Sequence, residues 1–299
     1  MNKKNLIVIV GPTGIGKTDL SLHLAKTFNS EIFSSDSRQI YQEMNIGTAV
    51  PEPEVLESVK HHFIGELSIH DYYNASMYEQ DVLKRLENYY KTHDYAVMVG
   101  GSMLYIDAVC KGIDELPTID PMIREGLMKR MQDEGIESLR QEVKVVDPDY
   151  YAIADIKNPK RILKALEVFQ MTGKPYSSFR TESVKDRPFN IIKIGLKRDR
   201  EELYDRINHR VDLMMKQGLL DEAKKLYLNK DLNSLNTVGY KEIFGYLSNE
   251  YDLDEAVRLI KRNTRHYAKK QIAWFKKDLS TKWFHPDDIE SITEFIKSI

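Results

Sequence analysis

Eight residues near the start of the chain, Gly11-Pro12-Thr13-Gly14-Ile15-Gly16-Lys17-Thr18, fit the pattern Gly, four residues, Gly, Lys, Thr. Glycines in such a run let the backbone fold tightly and turn its N–H groups inward, toward an anion. Lys17 is expected to hold an outer phosphate, and Thr18 to offer its hydroxyl to a Mg²⁺ ion. The chemistry implied is the binding of a diphosphate or triphosphate. The pattern alone does not say which reaction follows, and the bland alternative is a glycine turn that binds nothing.

The elements around the loop favour the anion site. Leu6–Val10 is a short, unbroken, β-branched apolar run, as in a parallel strand covered on both faces. After Thr18 come Leu20, Leu22, Leu24, Ala25 and Phe28 among polar residues, which reads as a helix. A helix N-terminus behind the loop adds positive potential. Residues 31–34 read as a second strand, running into Asp36-Ser37-Arg38-Gln39. Residues just past a parallel strand face the ligand crevice, so Asp36 belongs on the same edge as the loop. There it could also be a helix N-cap or a Mg²⁺ contact.

Hydrophobic residues at 41% and charged ones at 30% describe a chain that buries a core in water, which excludes fibrous and disordered classes. The single Cys110 excludes an intramolecular disulfide framework and a cysteine-based zinc site. No signal pattern precedes the first strand and no apolar run approaches membrane-spanning length, so a cytoplasmic chain off the membrane is expected. The net charge of −2 hides an asymmetry: residues 258–277 hold eight Lys or Arg and no Asp or Glu. Such a stretch on an acidic body suits a polyanion, or is simply a solvated helix face.

Further along, residues 46–51 form a Gly- and Pro-punctuated loop, followed by His61 and His62, read as structural or pocket-lining. Residues 74–93 are an amphipathic helix. Tyr95–Val99 is a strand ending in Gly100-Gly101-Ser102, where two glycines imply close approach of another group, either a tight turn or a substrate. Many phosphate-loop ATPases end such a strand in Asp or Glu; its absence argues against ATP hydrolysis. Strand signal then gives way to helical patterns, with Asn158-Pro159 as a helix start and Gly173 as a stop. A strand over 191–196 resumes the sheet, helices follow over 200–216 and 219–228, and a long basic helix spans 253–277. Its Tyr267, Trp274 and Phe275 are expected to anchor the core. The fold class expected is α/β: a phosphate-loop parallel sheet flanked by helices, with an all-helical insertion and C-terminal helices. Its parts are a core at 1–116, the insertion at 117–188 and core completion at 189–299.

In order, these fragments resemble the tRNA dimethylallyltransferases, also called tRNA isopentenyltransferases. They are the loop at 11–18, Asp-Ser-Arg-Gln-Ile-Tyr at 36–41, Ile-Gly-Thr-Ala at 46–49 and Gly-Gly-Ser-Met-Leu-Tyr at 100–105. Then come Arg-Ile-Leu-Lys-Ala-Leu-Glu-Val at 161–168, Arg-Val-Asp at 210–212, Gly-Tyr-Lys-Glu at 239–242 and Thr-Arg-His-Tyr-Ala-Lys-Lys-Gln at 264–271. The resemblance covers nearly the whole chain. Departures are Gly14-Ile15 where the family usually has Ala-Ser, Ser102 for Thr, Lys60 for the Pro before the two histidines, and Lys164 for Arg. With Cys110 as the single cysteine, the zinc-finger extension of some eukaryotic members is not expected.

The resemblance implies transfer of a dimethylallyl group from dimethylallyl diphosphate to N6 of the adenosine immediately 3′ of the anticodon, leaving diphosphate. Gly11, Pro12, Thr13, Gly14, Ile15, Gly16, Lys17 and Thr18 would then hold the diphosphate, with Mg²⁺ on Thr18. Thr13 would bond the bridging oxygen and Arg210 would reach the diphosphate from outside the loop. Asp36 would be the base for the adenine amine, since that nitrogen is a weak nucleophile. Asp36, Ser37, Arg38, Gln39 and Ser102 would line the entrance for a flipped base, and Arg161 would contact the tRNA. A monomer is the default expectation. The competing classes are a phosphate-loop kinase of a small metabolite and a non-catalytic, nucleotide-dependent RNA-binding module.

Overall fold

The computed structural model describes residues 4–114, 116–117, 119–181 and 184–299. The chain divides into two compact units, one of Met1–Cys110 with Asp186–Ile299, the other of Lys111–Lys185. The first opens with β1 (Asn5–Val10), α1 (Lys17–Thr27), β2 (Ile32–Ser34), α2 (Pro53–Ser58), β3 (His61–His62), α3 (Ala75–Tyr89), β4 (Tyr95–Val99) and α4 (Met103–Lys111). The second holds α5 (Pro121–Asp133), α6 (Ile136–Val146), α7 (Pro148–Ile153) and α8 (Pro159–Thr172). The first resumes with β5 (Asn190–Leu196), α9 (Arg200–Gln217), α10 (Leu219–Leu226), α11 (Tyr240–Leu247), α12 (Leu253–Phe275), β6 (Lys282–Phe284) and α13 (Ile289–Lys297).

The strands form one parallel sheet in the order β3-β2-β4-β1-β5-β6. β1 lies at its centre, with Ile7 opposite Val97 on one side and Ile192 on the other. Its run Leu6–Val10 is buried throughout, as a strand covered on both faces must be. The C-terminal ends of β2, β4 and β1 are neighbours, so the loops that follow them share one edge. Helices α1, α9, α12 and α13 bury Leu20, Leu24, Leu203, Ile207, Ala268, Ile292 and Ile296 against the sheet. Ile15 joins this cluster from within the phosphate loop at 1% exposure, so the departure from the family's Ala-Ser gives the loop an apolar anchor.

Edge strands β3 and β6 carry no readable alternation at two and three residues each, and the sequence did not mark them. The amphipathic segment at 74–93 is helical over a shorter span, from the Asn74 cap, whose Oδ1 accepts the Ser76 and Met77 N–H at 2.9 and 3.0 Å.

The helical unit has its own core of Leu127, Leu139, Val143, Tyr150, Ile162, Leu163, Ala165 and Leu166. Its buried Asp147 accepts the Tyr150 N–H at 3.1 Å and the Ser177 N–H at 2.8 Å. Gly173 ends α8 in the left-handed conformation at φ 69°. Against the 117–188 read from the helical patterns, the division falls at 110/111 and 185/186, so the unit both begins and ends earlier in the chain. The Lys185 N–H bonds the Lys111 carbonyl at 2.7 Å, closing the root of the excursion before its helices begin.

Candidate active site

The phosphate loop runs from the end of β1 into α1. Gly14 and Gly16 hold φ of 79° and 107°, a region closed to most residues with a Cβ. The Lys17 ammonium donates to the Gly11 and Pro12 carbonyls at 2.9 and 2.8 Å, curling back over the loop. Burial, and then the positive charge of Arg210, bring its pKa down to about 7, with Asp36 opposing them. Outside the loop, Arg206 Nε donates to the Gly14 carbonyl at 2.9 Å and Arg198 Nε to the Ile15 carbonyl at 3.2 Å. The hydroxyls of Thr13 and Thr18 have no protein partner among the described residues.

Asp36 lies two residues beyond β2. Its Oδ1 accepts the Arg38 and Gln39 N–H at 2.9 and 3.3 Å, so the carboxylate caps a turn rather than a helix. The Ser102 hydroxyl accepts the Ser37 N–H at 2.8 Å and donates to the Ser37 hydroxyl at 3.0 Å, tying the loop after β4 to the loop after β2. Gln39 is used within the protein: Nε2 donates to the Thr48 and Ala49 carbonyls at 3.2 and 3.0 Å, and Oε1 accepts from Ser34 Oγ. Arg210, on α9, has no hydrogen bond or ion pair among the described residues. Burial lowers its pKa from the ordinary value, and the Asp36 carboxylate works against that.

Two cavities meet at these residues. The first, of about 450 Å³, is lined by the loop from Thr13 to Asp19 together with Gln39, Pro51, His61, Ile64, Val99 and Arg206. The second, of about 380 Å³, is lined by Ser37, Arg38, Ser102, Met214, Asn236, Thr237, Lys241 and Thr264. Thr13, Asp36, Thr48, Arg210 and Tyr267 line both. A ligand in either one reaches the same five residues. Arg161 lies apart in the chain, exposed in the first turn of α8.

The paired glycines after β4 are explained by the protein itself. A Cβ on Gly100 would stand 2.5 Å from the Ser35 carbonyl carbon and oxygen. His61 Nδ1 contacts the Val59 carbonyl at 2.7 Å and its side chain lines the first cavity. His62 bonds Glu31 at 2.6 Å and stacks on Phe33 at 4.4 Å between centroids.

The expectation for the long helix needs correction. Phe275 is buried, but Tyr267 and Trp274 are 37% and 39% exposed and do not anchor the core. The buried stripe of α12 is Ala256, Ile260, Ala268, Gln271 and Phe275, one position round from the heptad of Tyr267 and Trp274. Tyr267 instead donates its hydroxyl to the Gly101 carbonyl at 3.3 Å and faces both cavities, while Trp274 Nε1 donates to Asp107 at 2.8 Å. Tyr267, Thr48 and Gln271 were missed as site residues; the only signal was their place inside the quoted fragments. Part of the basic stretch is neutralised locally, with Arg258 on Glu255 and Lys261 on Asp212, both at 2.6 Å.

The IPP transferase family model matches residues 39–278. A tRNA dimethylallyltransferase 1 of Bacteroides fragilis is 54% identical over 298 residues, covering 100% of this chain and 99% of that protein. The chain belongs to the tRNA dimethylallyltransferase family. This family member also resembles solved structures along its length. The tRNA isopentenylpyrophosphate transferase of Bacillus halodurans superposes with a TM-score of 0.73 at 34% identity, over 99% of this chain and 96% of that one. A eukaryotic dimethylallyltransferase acting on tRNA superposes with a TM-score of 0.75 at 26% identity, over 91% of this chain and 69% of that one. Among the described residues no helix is long and apolar enough to cross a membrane.

Proposed function

We propose that this tRNA dimethylallyltransferase moves a dimethylallyl group from dimethylallyl diphosphate to N6 of the adenosine immediately 3′ of the anticodon, releasing diphosphate. The observation that carries the reading is the pair of cavities joined at Thr13, Asp36, Thr48, Arg210 and Tyr267. One is floored by an anion loop and suits the diphosphate; the other opens on Ser37, Arg38, Ser102 and Lys241 and suits a base flipped out of its strand.

The transferred carbon is attacked as its bond to the diphosphate breaks. The loop from Gly11 to Thr18 receives the charge that leaves, with its amides, the α1 dipole and Lys17. Thr13, with its hydroxyl free, donates to the bridging oxygen, and Arg210, with its guanidinium free, meets the diphosphate from α9. Asp36 accepts the proton of the adenine amine as nitrogen becomes bonded to carbon; its Oδ1 is engaged with backbone, which leaves Oδ2 for the amine. Among the described residues no three His, Cys, Asp or Glu side chains gather to hold a metal by themselves. The exposed Thr18 hydroxyl fits Mg²⁺, which takes few protein ligands and completes its shell with diphosphate oxygens and water. Bound there, the ion would help neutralise the leaving group. Arg161 and the unpaired cations of α12 support the RNA backbone. One copy of the chain carries every residue the reading uses, so the reading needs no second subunit.

The test is incubation with dimethylallyl diphosphate, Mg²⁺ and unmodified tRNA, followed by digestion and nucleoside mass spectrometry. The expected product is adenosine carrying one prenyl unit. Absence of that product, with a metabolite phosphorylated from ATP instead, would overturn the reading in favour of a kinase.

A further inference from the structure

Gln271 is 1% exposed, on the inner face of a helix otherwise known for its cations. Its amide is used at both ends. Oε1 accepts the Thr13 N–H at 2.9 Å, and Nε2 donates to the Gly101 carbonyl at 2.9 Å. Reversing the amide would set donor against donor and acceptor against acceptor, so the two bonds fix one orientation. Gly101 makes room for this contact, since a Cβ there would fall 2.4 Å from Nε2.

A phosphate loop ordinarily turns its amides toward the anion. Here the Thr13 amide is turned toward α12 instead. We infer that Gln271 is a positioning residue: it holds the Thr13 peptide so that the Thr13 hydroxyl stands at the junction of the two cavities. With the peptide plane fixed, Cα is placed and φ alone is left to set the Cα–Cβ direction, and a β-branched side chain has little further freedom at χ1. The other end of the same amide holds the loop after β4, whose Ser102 ties down Ser37 next to Asp36. One side chain thus sets the distance between the group that meets the bridging oxygen and the segment that carries the base. Misplacement of about 1 Å at such a point can lower a rate about 10²-fold. This inference rests on the reading of Thr13 given above.

A double-mutant cycle tests it, with single-turnover rates measured under saturating substrates. Gln271→Met keeps the volume and removes both bonds. The expected result is a 10- to 100-fold loss of rate with the KM for dimethylallyl diphosphate within threefold. In a Thr13→Val background the same change should lose at least threefold less than it does in the wild type, because the hydroxyl it positions is already gone and only its hold on the loop after β4 remains to be lost. Equal losses in both backgrounds would overturn the inference, as would an unchanged rate in the single variant. A Thr13→Val rate close to wild type would instead overturn the role given to Thr13, and the inference with it. Should Gln271→Met not fold, Gln271→Asn, too short to span the two loops, is read in the same cycle. Amide exchange at Thr13 gives a readout free of turnover: protected in the wild type, fast in the Gln271 variants.

Discussion

Arg210 bears on Lys17 as a second positive charge at the phosphate loop, and, after burial, is the main influence holding the Lys17 ammonium down at about 7. In the proposed reading both cations face the diphosphate, and each would be more easily accommodated with that anion present.

This pairing gives a pH dependence with a definite sign. With its pKa at about 7, Lys17 is partly deprotonated in the free enzyme near neutrality, and a bound diphosphate is expected to restore the proton. Affinity attributable to Lys17 should be complete below pH 7 and weaken above it, by up to about tenfold per pH unit. Calorimetry at pH 8 in buffers of different ionisation enthalpy should register proton uptake that is missing in Lys17→Arg, whose guanidinium stays charged. Equal uptake in both proteins would contradict this. For folding of the free protein the sign is reversed: the unfolded chain retains this proton to about pH 10, so Lys17 adds stability as pH rises from 7.

Asp36→Asn should separate charge from geometry. The asparagine oxygen can still accept the Arg38 and Gln39 N–H groups, while the base is lost. We expect a fall in kcat of about 10²–10⁴-fold. Diphosphate affinity should stay within a few-fold of wild type. A rate within threefold of wild type in the nucleoside assay would remove Asp36 from the proton transfer.

Two glycines should respond oppositely to alanine. Gly100→Ala forces a methyl group against the Ser35 backbone and should destabilise by about 1–3 kcal/mol. Gly126→Ala, inside α5 with nothing within 4 Å of the added carbon, should stabilise by up to about 1 kcal/mol. Urea unfolding followed by far-UV and near-UV circular dichroism checks both.

Glu222 is the hub of another loop. Its carboxylate accepts the Asn45, Ile46 and Gly47 N–H at 3.0, 2.8 and 2.9 Å, and the Tyr240 hydroxyl at 2.5 Å. Glu222→Ala should cost about 1–3 kcal/mol. Amide exchange at residues 45–47 should rise with it. Exchange rates equal to wild type would mean the loop, and Thr48 on it, is held by other contacts.

Much of this architecture was legible because its signals are local. A buried β-branched run, a glycine loop and a following amphipathic helix carry their own register, and so do Asn158-Pro159 and Gly173 at the ends of α8. Asp36 could be placed from the rule for strand ends alone. What escaped depends on contacts between distant segments. Gln271 meets Thr13 and Gly101 only because α12 packs beside both loops, and nothing in the helical period marks it as more than a polar residue. Tyr267 was assigned to the core for the same reason: heptad spacing says two residues share a face, but not which face is covered. Strands β3 and β6 exist as pairings with β2 and β5 rather than as patterns of their own.

The hydrogen bond from Lys185 to the Lys111 carbonyl has a consequence for how such a chain can vary. Because the excursion between them leaves and returns at neighbouring points, the sheet experiences it as a closed loop, whatever its contents. Helices in that segment can lengthen, shorten or be exchanged without shifting the register of β5 against β1. In the proposed reading, where Arg161 of this unit meets the RNA, a change of RNA preference would need edits to one contiguous stretch of gene, while the chemistry stays encoded on either side of it.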